Sequence, residues 1–436
     1  MEKHPGFKSR LNSLYTSALI FSFGENFAGG KTVGASFLNM FTVEMGATPT
    51  QLGLFHSITI SIQSVFQILW GRLSDKIGKR IPLIVIGGLG YSILWVFILF
   101  SSTPNVLLGL LVVQAFFASI RLPNWTSLVG DLSPTDQRGV ITANISYVST
   151  IAGLGSIITA GIIMFYSAGS LINIYAIPFF AATIFGVIGT LFLLRINESK
   201  SNRLEKGEIR SSQIREFFNK LNKNKDFLKY LIVASASNTA LVILLPVISI
   251  MTIRILNVDK ITFAMYGVVR SLSMLVFQKR LGKIVDIAGR KQLMILQRII
   301  YVIIPGLIVI APNKYFIFIP YLILGVLHAI EGTANLSYLL DVTPHEGRGG
   351  FISIFNAIQG IGTFVSSLIG GILIELLSNR TSILQALRIV AIITTLLRIP
   401  TAFAYFSLKE IGNYPSNLLI EAQKRLFLIH SSKIHV

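Results

Sequence analysis

The chain has 436 residues, of which 52% are hydrophobic and only 13% are charged, and its formal net charge is +19. A soluble protein carries about twice that fraction of charged residues, so the composition excludes an ordinary soluble domain. The apolar residues form runs of about 20 residues or more, the length that an α-helix needs to cross a bilayer. The sequence therefore predicts a polytopic α-helical membrane protein, because β-barrel strands would show alternating segments of about ten residues.

Several kinds of chemistry have no candidate residues in this chain. It contains no cysteine, so it has no disulfide and no thiolate metal site. Its six histidines are scattered and lack the spacing of metal ligands. No phosphate-binding Gly-x4-Gly-Lys-Ser/Thr motif is present, which argues against direct use of ATP. We therefore predict no metal and no cofactor.

Twelve apolar spans follow one another along the chain. They cover about 11–43, 50–70, 81–100, 104–132, 139–165 and 171–194, then 230–256, 261–281, 292–311, 315–340, 350–377 and 383–408. The long polar segment 195–229 has ten Lys/Arg against five Asp/Glu, which is too charged to bury and predicts short surface helices. We predict a six-helix N-terminal half at 1–194, a basic linker at 195–229, a six-helix C-terminal half at 230–408 and a polar tail at 409–436.

The basic residues lie mainly on the side of the membrane that holds the N-terminus. They occupy the turns at 71–80 and 279–291, the linker and the tail, whereas the opposite side has sparse charge. Cytoplasmic loops carry the excess of Lys and Arg in membrane proteins. We therefore predict a multi-pass protein of the cell membrane with both termini in the cytoplasm, its basic turns facing the anionic inner leaflet. This pattern indicates topology rather than nucleic-acid binding.

Two polar motifs occur once in each half. Residues 71–80, GRLSDKIGKR, match residues 282–291, GKIVDIAGRK, which begin 211 residues later. Residues 131–139, DLSPTDQRG, match residues 341–349, DVTPHEGRG, which begin 210 residues later. Two independent landmarks at nearly the same offset indicate a duplicated half.

Three ionisable residues lie deep within predicted spans, where a charge is costly. Glu25 lies some 14 residues into its span, which is about 20 Å at 1.5 Å per residue and near the middle of the membrane. Arg121 and Glu331 are 210 residues apart, so they occupy equivalent places in the two halves with opposite charge. Arg121 could pair with either carboxylate or bind an anionic solute, and either carboxylate could carry a proton. A structural ion pair that fixes helix packing is the alternative.

The turn at 71–80 resembles the signature loop of the major facilitator superfamily, Gly-x-Leu-x-Asp-x-x-Gly-basic-basic. The matching residues are Gly71, Leu73, Asp75, Gly78, Lys79 and Arg80. The approach at 45–53 is also similar to that family, as is the fourth span with Gln114, Pro123 and its exit at Asp131, Pro134, Arg138 and Gly139. The resemblance covers almost the whole chain. It implies an all-α protein of twelve transmembrane helices, monomeric and not an enzyme, whose two halves rock around a central site for a small-molecule substrate.

In this family the first, fourth, seventh and tenth helices line the central cavity. The resemblance therefore implies that Glu25, Arg121 and Glu331 face it, with His328 one turn from Glu331. Weaker candidates for substrate binding or coupling are polar and aromatic neighbours on the same helices: Asn26, Asn124, Trp125, Asn238, Asn335 and Tyr338. Arg298 lies near the end of a span, where its side chain is predicted to reach the membrane surface. The sequence offers no role for Arg270 or Arg398.

The repeated motifs are also candidates for a cytoplasmic gate between the halves. The resemblance implies that Asp75 meets Arg348 and the start of the eleventh helix, and that Asp286 mirrors this contact near Arg138. Such an interaction of about 1–2 kcal/mol biases a two-state equilibrium. The predicted gate residues are Gly71, Asp75, Gly78, Lys79, Arg80, Asp131, Arg138, Gly282, Asp286, Gly289, Arg290, Asp341 and Arg348. The alternative is that these residues only anchor loops at the membrane surface.

The chain departs from the family pattern at two places. Leu111 stands where the fourth-helix motif usually has an Arg, which is linked to proton transfer in several members. Ser156 follows Gly155 where the antiporters of the family have Gly-Pro. The prediction is a secondary transporter of a small solute, with H⁺ coupling through Glu25 or Glu331 as a hypothesis. A multidrug efflux pump, a polytopic membrane enzyme and a transport-dead sensor are the alternatives.

Overall fold

The computed structural model describes residues 5–28, 36–133, 138–196, 198, 223–344 and 348–410, and these residues are almost entirely helical. The first half contains α1 Pro5–Ala28, α2 Phe37–Glu44, α3 Pro49–Ile77, α4 Ile81–Leu99, α5 Pro104–Leu132, α6 Arg138–Tyr166 and α7 Leu171–Leu191. The second half contains α8 Lys225–Val242, α9 Leu245–Ile250, α10 Lys260–Ala288, α11 Arg290–Val309, α12 Phe318–Ile330, α13 Leu336–Val342, α14 Arg348–Ser378 and α15 Ile383–Ala404.

These helices follow the twelve predicted spans, and three of the spans are interrupted. The first span contains α1 and α2. The seventh contains α8, α9 and a π-helical turn, Met251–Ile255, and the tenth has a π-helical turn, Glu331–Asn335, between α12 and α13. Within the described part of the chain, ten helical segments are long and apolar enough to cross a membrane. The surface helices predicted for the linker fall mostly on residues 199–222, outside the described residues.

Helix ends carry the residues that favour termination and capping. At the start of α3, the Thr48 hydroxyl accepts a hydrogen bond from Gln51 N at 3.2 Å, and the Gln51 side chain accepts one from Thr48 N at 2.8 Å. This reciprocal cap satisfies backbone donors that a helix start leaves free. Gly78 ends α3 with a φ of 70°, a left-handed conformation that glycine adopts without strain. Such local signals account for the short turns of the bundle.

The turns divide into two sets at the two ends of the bundle. We call the end near Gly78, Ser133, Gly289 and Thr343 the basic end, and the other the opposite end. Between the halves, α3 packs against α14 and α6 packs against α10. These two helix pairs form the surface along which the halves meet.

The halves lie in close contact at the opposite end. A Cβ atom on Gly53 would lie 2.5 Å from the carbonyl oxygen of Ser367, so α3 and α14 approach closely only because the position is glycine. Asn39 Nδ2 donates to Ser249 Oγ at 2.8 Å, and His56 Nε2 lies 3.0 Å from the same hydroxyl. Asn39 and Ser249 are 210 residues apart, so equivalent positions of the two halves touch each other. The pseudo-two-fold axis therefore passes through this contact.

The halves separate towards the basic end. On one face of α3, the Ser61 hydroxyl donates to the Gly360 carbonyl of α14 at 2.8 Å. The next residues on that face, Val65 and Leu69, are 44% and 56% exposed. Ser64, on the neighbouring row of α3, still packs on α14, because a Cβ on Gly360 would lie 2.5 Å from Ser64 Cβ. The contact between α3 and α14 is therefore lost beyond Ser64, where these exposed residues follow. The bundle is thus closed at the opposite end and open at the basic end.

Substituting Gly53 with Ala is expected to force the opposite end open. Overpacking costs about 1–3 kcal/mol, and every 1.4 kcal/mol changes an equilibrium about tenfold. We expect at least a roughly fivefold faster maleimide reaction at a single Ser249→Cys reporter, which is unique because the natural chain lacks cysteine. Gly109→Ala is the matched control, since a Cβ there would meet nothing within 4 Å. Equal reaction rates in the two variants would contradict this account of the interface.

Candidate functional site

The first group of polar and aromatic residues lies in the N-terminal half; we call it the N-terminal cluster. It contains Phe21, Glu25, Tyr91, Arg121 and Trp125. The Arg121 guanidinium on α5 lies 3.3 Å from the centre of the Phe21 ring and 5.8 Å from that of Trp125. The Tyr91 side chain of α4 hydrogen-bonds with Glu25 of α1, and Arg121 interacts electrostatically with Glu25. Two of the three predicted ionisable residues are therefore brought together, and Arg121 interacts electrostatically with the carboxylate of its own half.

Close packing of α4 on α5 positions this cluster. A Cβ on Gly87 would lie 2.8 Å from the backbone nitrogen of Arg121 and 2.8 Å from the carbonyl of Phe117. Tyr91 follows Gly87 by one helical turn, so it lies on the same face of α4. Glycine at this position thus lets Tyr91 and Arg121 approach Glu25 together.

The second group lies in the C-terminal half and contains Gln297, Arg298, Glu331 and Asn335; we call it the C-terminal cluster. Gln297 Nε2 donates to Glu331 Oε2 at 2.8 Å, and Arg298 Nη2 lies 3.5 Å from the same oxygen. Asn335 Nδ2 donates to Gln297 Oε1 at 3.1 Å. Glu331 and Asn335 begin and end one π-helical turn, a rare geometry found frequently at functional sites.

Exposure distinguishes the two charged members of the C-terminal cluster. The Glu331 side chain is 46% exposed, whereas that of Arg298 is 6% exposed. A carboxylate that faced lipid at this depth would be costly. The accessible side of Glu331 therefore lies away from the buried Arg298 guanidinium, and its orientation towards the space between the halves stays a prediction. The sequence interpretation placed Arg298 near a span end, where it would reach the membrane surface; burial beside Glu331 shows that this was wrong.

His328 is engaged by its neighbours through both ring nitrogens. Arg270 Nη2 lies 2.8 Å from His328 Nε2, and His328 Nδ1 lies 2.7 Å from the Leu324 carbonyl oxygen. A guanidinium only donates and a carbonyl only accepts, so His328 is neutral with its proton on Nδ1. This contact gives the buried Arg270 a partner that the sequence did not reveal.

Arg398 donates to three backbone carbonyls that lie at helix irregularities. Its guanidinium donates to Tyr301 O at 2.7 Å, Leu241 O at 3.0 Å and Ala240 O at 3.3 Å. Tyr301 O lacks its usual donor because Pro305, four residues later, has no N–H. Ala240 and Leu241 lie where α8 ends. Arg398 is therefore a structural cation that joins α15 to two irregular helices.

The weaker sequence candidates divide between the clusters and helix packing. Trp125 and Asn335 belong to the clusters described above. Asn26 and Asn124 donate to carbonyls of their own helices, at Ser22 and Ile120. Asn238 donates to Thr363 of α14 at 3.0 Å, and the Tyr338 hydroxyl donates to the Lys409 carbonyl at 2.8 Å. The structure does not bring these four residues to either cluster.

The gate residues whose side chains are described make contacts within their own half. Arg80 Nε lies 3.5 Å from Asp131, and Arg290 Nε lies 2.9 Å from Asp341. These two pairs occupy equivalent positions. Arg348 donates to the Leu340 carbonyl at 3.1 Å. The side chains of Asp75, Arg138 and Asp286 lie outside the described ones, so the contact between halves stays a prediction.

Two further carboxylates at the basic end were not found from the sequence. Glu198 accepts hydrogen bonds from Arg80 N at 2.6 Å and Ile81 N at 3.0 Å, at the start of α4. Glu410 accepts from Arg290 N and Lys291 N, both at 3.1 Å, at the start of α11. A helix start favours a carboxylate through its free N–H groups and its dipole. The 212-residue spacing of these glutamates, close to that of the repeated motifs, was the available signal.

Comparison with known proteins places these clusters in context. The sequence profile of the Major Facilitator Superfamily matches residues 15–313 and 231–429. An uncharacterised MFS-type transporter of Methanocaldococcus jannaschii is 25% identical over 356 residues, covering 79% of this chain and 87% of the relative. The quinolone resistance protein NorA of Staphylococcus aureus is 26% identical over 166 residues, covering 38% of this chain and 41% of NorA.

Solved structures of transporters share the fold. The nucleoside transporter NupG superimposes with a TM-score of 0.71 and 13% identity, covering 92% of this chain and all of NupG. A D-xylose-proton symporter superimposes with a TM-score of 0.69 and 14% identity, covering 91% of this chain and 97% of the symporter. The predicted all-α architecture, twelve transmembrane helices in two pseudo-symmetric halves, is thereby confirmed.

Proposed function

This chain belongs to the major facilitator superfamily of membrane transporters, and we propose that it binds a small solute between the N-terminal and C-terminal clusters and couples its movement to protons through Glu331. The observation that carries this proposal is the state of Glu331. Its carboxylate is 46% exposed at mid-span, yet a buried Arg298 and a buried Gln297 hold one of its oxygens. A group in this position can exchange protons with water in the cavity and change its hold on a buried cation.

The two protonation states of Glu331 differ in what they do to Arg298. The ionised carboxylate attracts the guanidinium at 3.5 Å. The protonated acid has no charge, so Arg298 is left as a buried cation that an anionic or polar solute group can satisfy. Proton binding at Glu331 and solute binding at Arg298 are therefore coupled, because both act on this one cation. Such a difference in affinity between states is what shifts a two-state transporter.

The N-terminal cluster supplies the facing wall of the proposed site. Arg121 is partly buried between the Phe21 ring and Glu25, so its orientation is fixed before a solute binds. A pre-oriented guanidinium loses little side-chain entropy on binding. We propose that Arg121 selects the polar end of the solute, while Phe21 and Trp125 contact its apolar part.

We also propose the orientation of the cycle. The basic end faces the cytoplasm of the cell membrane, in accordance with the excess of Lys and Arg there, so the structure is in an inward-open state. Residues 1–194 and 230–408 rock as the two halves, joined by the linker at 195–229. The protein acts as a monomer and without a catalytic step.

A multidrug efflux pump is the second candidate. The partial similarity to NorA, which is named for quinolone resistance, favours it. The aromatic residues beside Arg121 suit flat apolar compounds. The two functions differ in selectivity, because a solute transporter binds one chemical class and an efflux pump binds several.

The test is thermal unfolding of the purified protein against a library of metabolites and drugs. A ligand at 100 times its dissociation constant stabilises the folded state by about 2.7 kcal/mol. We expect one chemical class to stabilise the natural protein and Arg121→Ala to remove that shift. Arg388→Ala, an exposed position on α15, is the matched control and should keep it. Shifts that persist in Arg121→Ala would overturn the site, and shifts from several unrelated drug classes would favour efflux.

A further inference from the structure

A separate pocket of about 460 Å³ lies at the opposite end, between the halves. Its walls include Val43, Glu44 and Met164 from the first half and Ile253, Arg254 and Lys260 from the second. This volume is within the range of about 300–1,000 Å³ that is usual for small-molecule sites. The residues of both central clusters are absent from its walls, so it is a different site from the one proposed for transport.

Each carboxylate of this pocket already forms an ion pair with a lysine. Glu44 pairs with Lys260 at 2.5 Å and accepts a hydrogen bond from the Tyr175 hydroxyl at 2.9 Å. Asp259 pairs with Lys314 at 2.6 Å. Partial burial raises the pKa of Asp259, but hydrogen bonds from Lys314 and Thr262 outweigh that effect and lower the pKa to about 2. Asp259 therefore stays ionised at neutral pH, and each of the two carboxylates is matched by a lysine.

Arg254 is the cation of the pocket whose guanidinium has N–H groups available to bind a ligand. Its exposed guanidinium donates to the carbonyl of Ala47, in the other half. In the described part of the chain no carboxylate pairs with it. A guanidinium has five N–H donors in a planar fork that suits carboxylate and phosphate groups. Arg254 lies in the π-helical turn Met251–Ile255, which carries a charged residue as the turn Glu331–Asn335 does.

We infer that this pocket binds a small amphipathic anion, whose carboxylate or phosphate pairs with Arg254 and whose apolar part packs on Met164, Ile253 and Val258. The walls belong to both halves, so the anion binds only while the opposite end is closed. Binding then stabilises the closed opposite end and slows the transport cycle. The site is regulatory, and its occupant differs from the transported solute.

The test uses hexyl phosphate as the probe and maleimide labelling of Ser249→Cys as the readout. Ser249 is fully buried at the closed opposite end, so labelling reports opening there. In nanodiscs of neutral lipid, hexyl phosphate should slow labelling at least about fivefold, and hexyltrimethylammonium should not, because an unpaired guanidinium attracts only anions. Each rate is compared with that of the same variant without probe, since Arg254 also contacts Ala47.

Variants identify the residue and the source of the anion. Arg254→Gln should remove the protection and Arg254→Lys should retain part of it, whereas Arg380→Gln, an exposed change of equal charge at the same end, should keep it. Where labelling in anionic-lipid nanodiscs is slow even without the probe, Arg254→Gln tests the cause. If that variant restores fast labelling, the result supports the site and identifies a lipid headgroup as its occupant. Protection that is absent in both lipids, unchanged in Arg254→Gln or equal with the cationic probe would overturn the inference.

Discussion

Substituting Glu331 with Gln is expected to reduce solute-driven proton movement to background while the solute still binds. Glutamine has nearly the shape of a protonated glutamic acid but neither takes up nor releases a proton in this pH range. Arg298 is then held permanently in the state that accepts the solute. The measurement is acidification by a pH-sensitive dye in proteoliposomes, with the ligand found by thermal unfolding. Exchange of labelled for unlabelled ligand should continue, because exchange needs no proton transfer.

Glu25→Gln is the matched control for this experiment. Glu25 is the other carboxylate at mid-membrane, but it is held by Tyr91 and Arg121 of the N-terminal cluster. We expect Glu25→Gln to retain proton movement even if its affinity for the solute falls. Proton movement that persists in Glu331→Gln and is lost in Glu25→Gln would move the coupling role to Glu25. Movement that persists in both variants would show that neither carboxylate couples protons.

Much of the fold could be predicted because the bilayer constrains it strongly. Backbone groups in hydrocarbon must be hydrogen-bonded internally, so each long apolar run has to be a helix. The interruptions were harder to predict. Pro246 was a visible signal for the end of α8, since it has no N–H to continue the helix. The π-helical turn at Glu331–Asn335 has no such signal, because one extra residue in a turn depends on the packing of neighbouring helices.

The candidate site could be predicted in part, and the reason lies in the duplication. Glu331 and Arg121 were found because charges within spans are costly, and their equivalence located them at one depth. Duplication preserves the backbone but not the side chains. Gln297 and Arg298 correspond to Gly87 and Gly88, so the second half places a cation where the first half has close helix packing. No repeat-based argument could therefore find Arg298.

Helix bounds also explain why Arg298 was misplaced. α11 begins at Arg290, so Arg298 lies eight residues inside the helix, about 12 Å from its start at 1.5 Å per residue. A guanidinium at that depth does not reach the membrane surface easily. It is stable there because Glu331 and the ring of Tyr405, 5.0 Å away, surround it. Tertiary contacts of this kind are not visible in a linear pattern of hydropathy.

Arg398→Ala is expected to destabilise the protein more than any change at an exposed arginine. It leaves three buried carbonyls, those of Ala240, Leu241 and Tyr301, without the donors that Arg398 provides. The Leu241 carbonyl keeps a second donor, Leu244 N at 3.4 Å. An unsatisfied buried polar group costs about 1–3 kcal/mol, so the other two carbonyls together cost about 2 kcal/mol or more. For a chain of 436 residues this is a fall of about 2 °C or more in the unfolding temperature. Arg388→Ala, exposed on the same helix, should change stability by less than about 0.5 kcal/mol.

Pro305→Ala tests the cause of that loss. Alanine at position 305 restores an N–H four residues after Tyr301, so the helix can satisfy the Tyr301 carbonyl that Arg398 otherwise caps. The cost of Arg398→Ala should therefore be smaller by about 1 kcal/mol in the Pro305→Ala background than in the natural one, a coupling that a double-mutant cycle resolves. Unfolding temperatures of the four proteins supply the measurement. Strict additivity would show that Arg398 does not substitute for the missing proline N–H, and its burial would then need another cause.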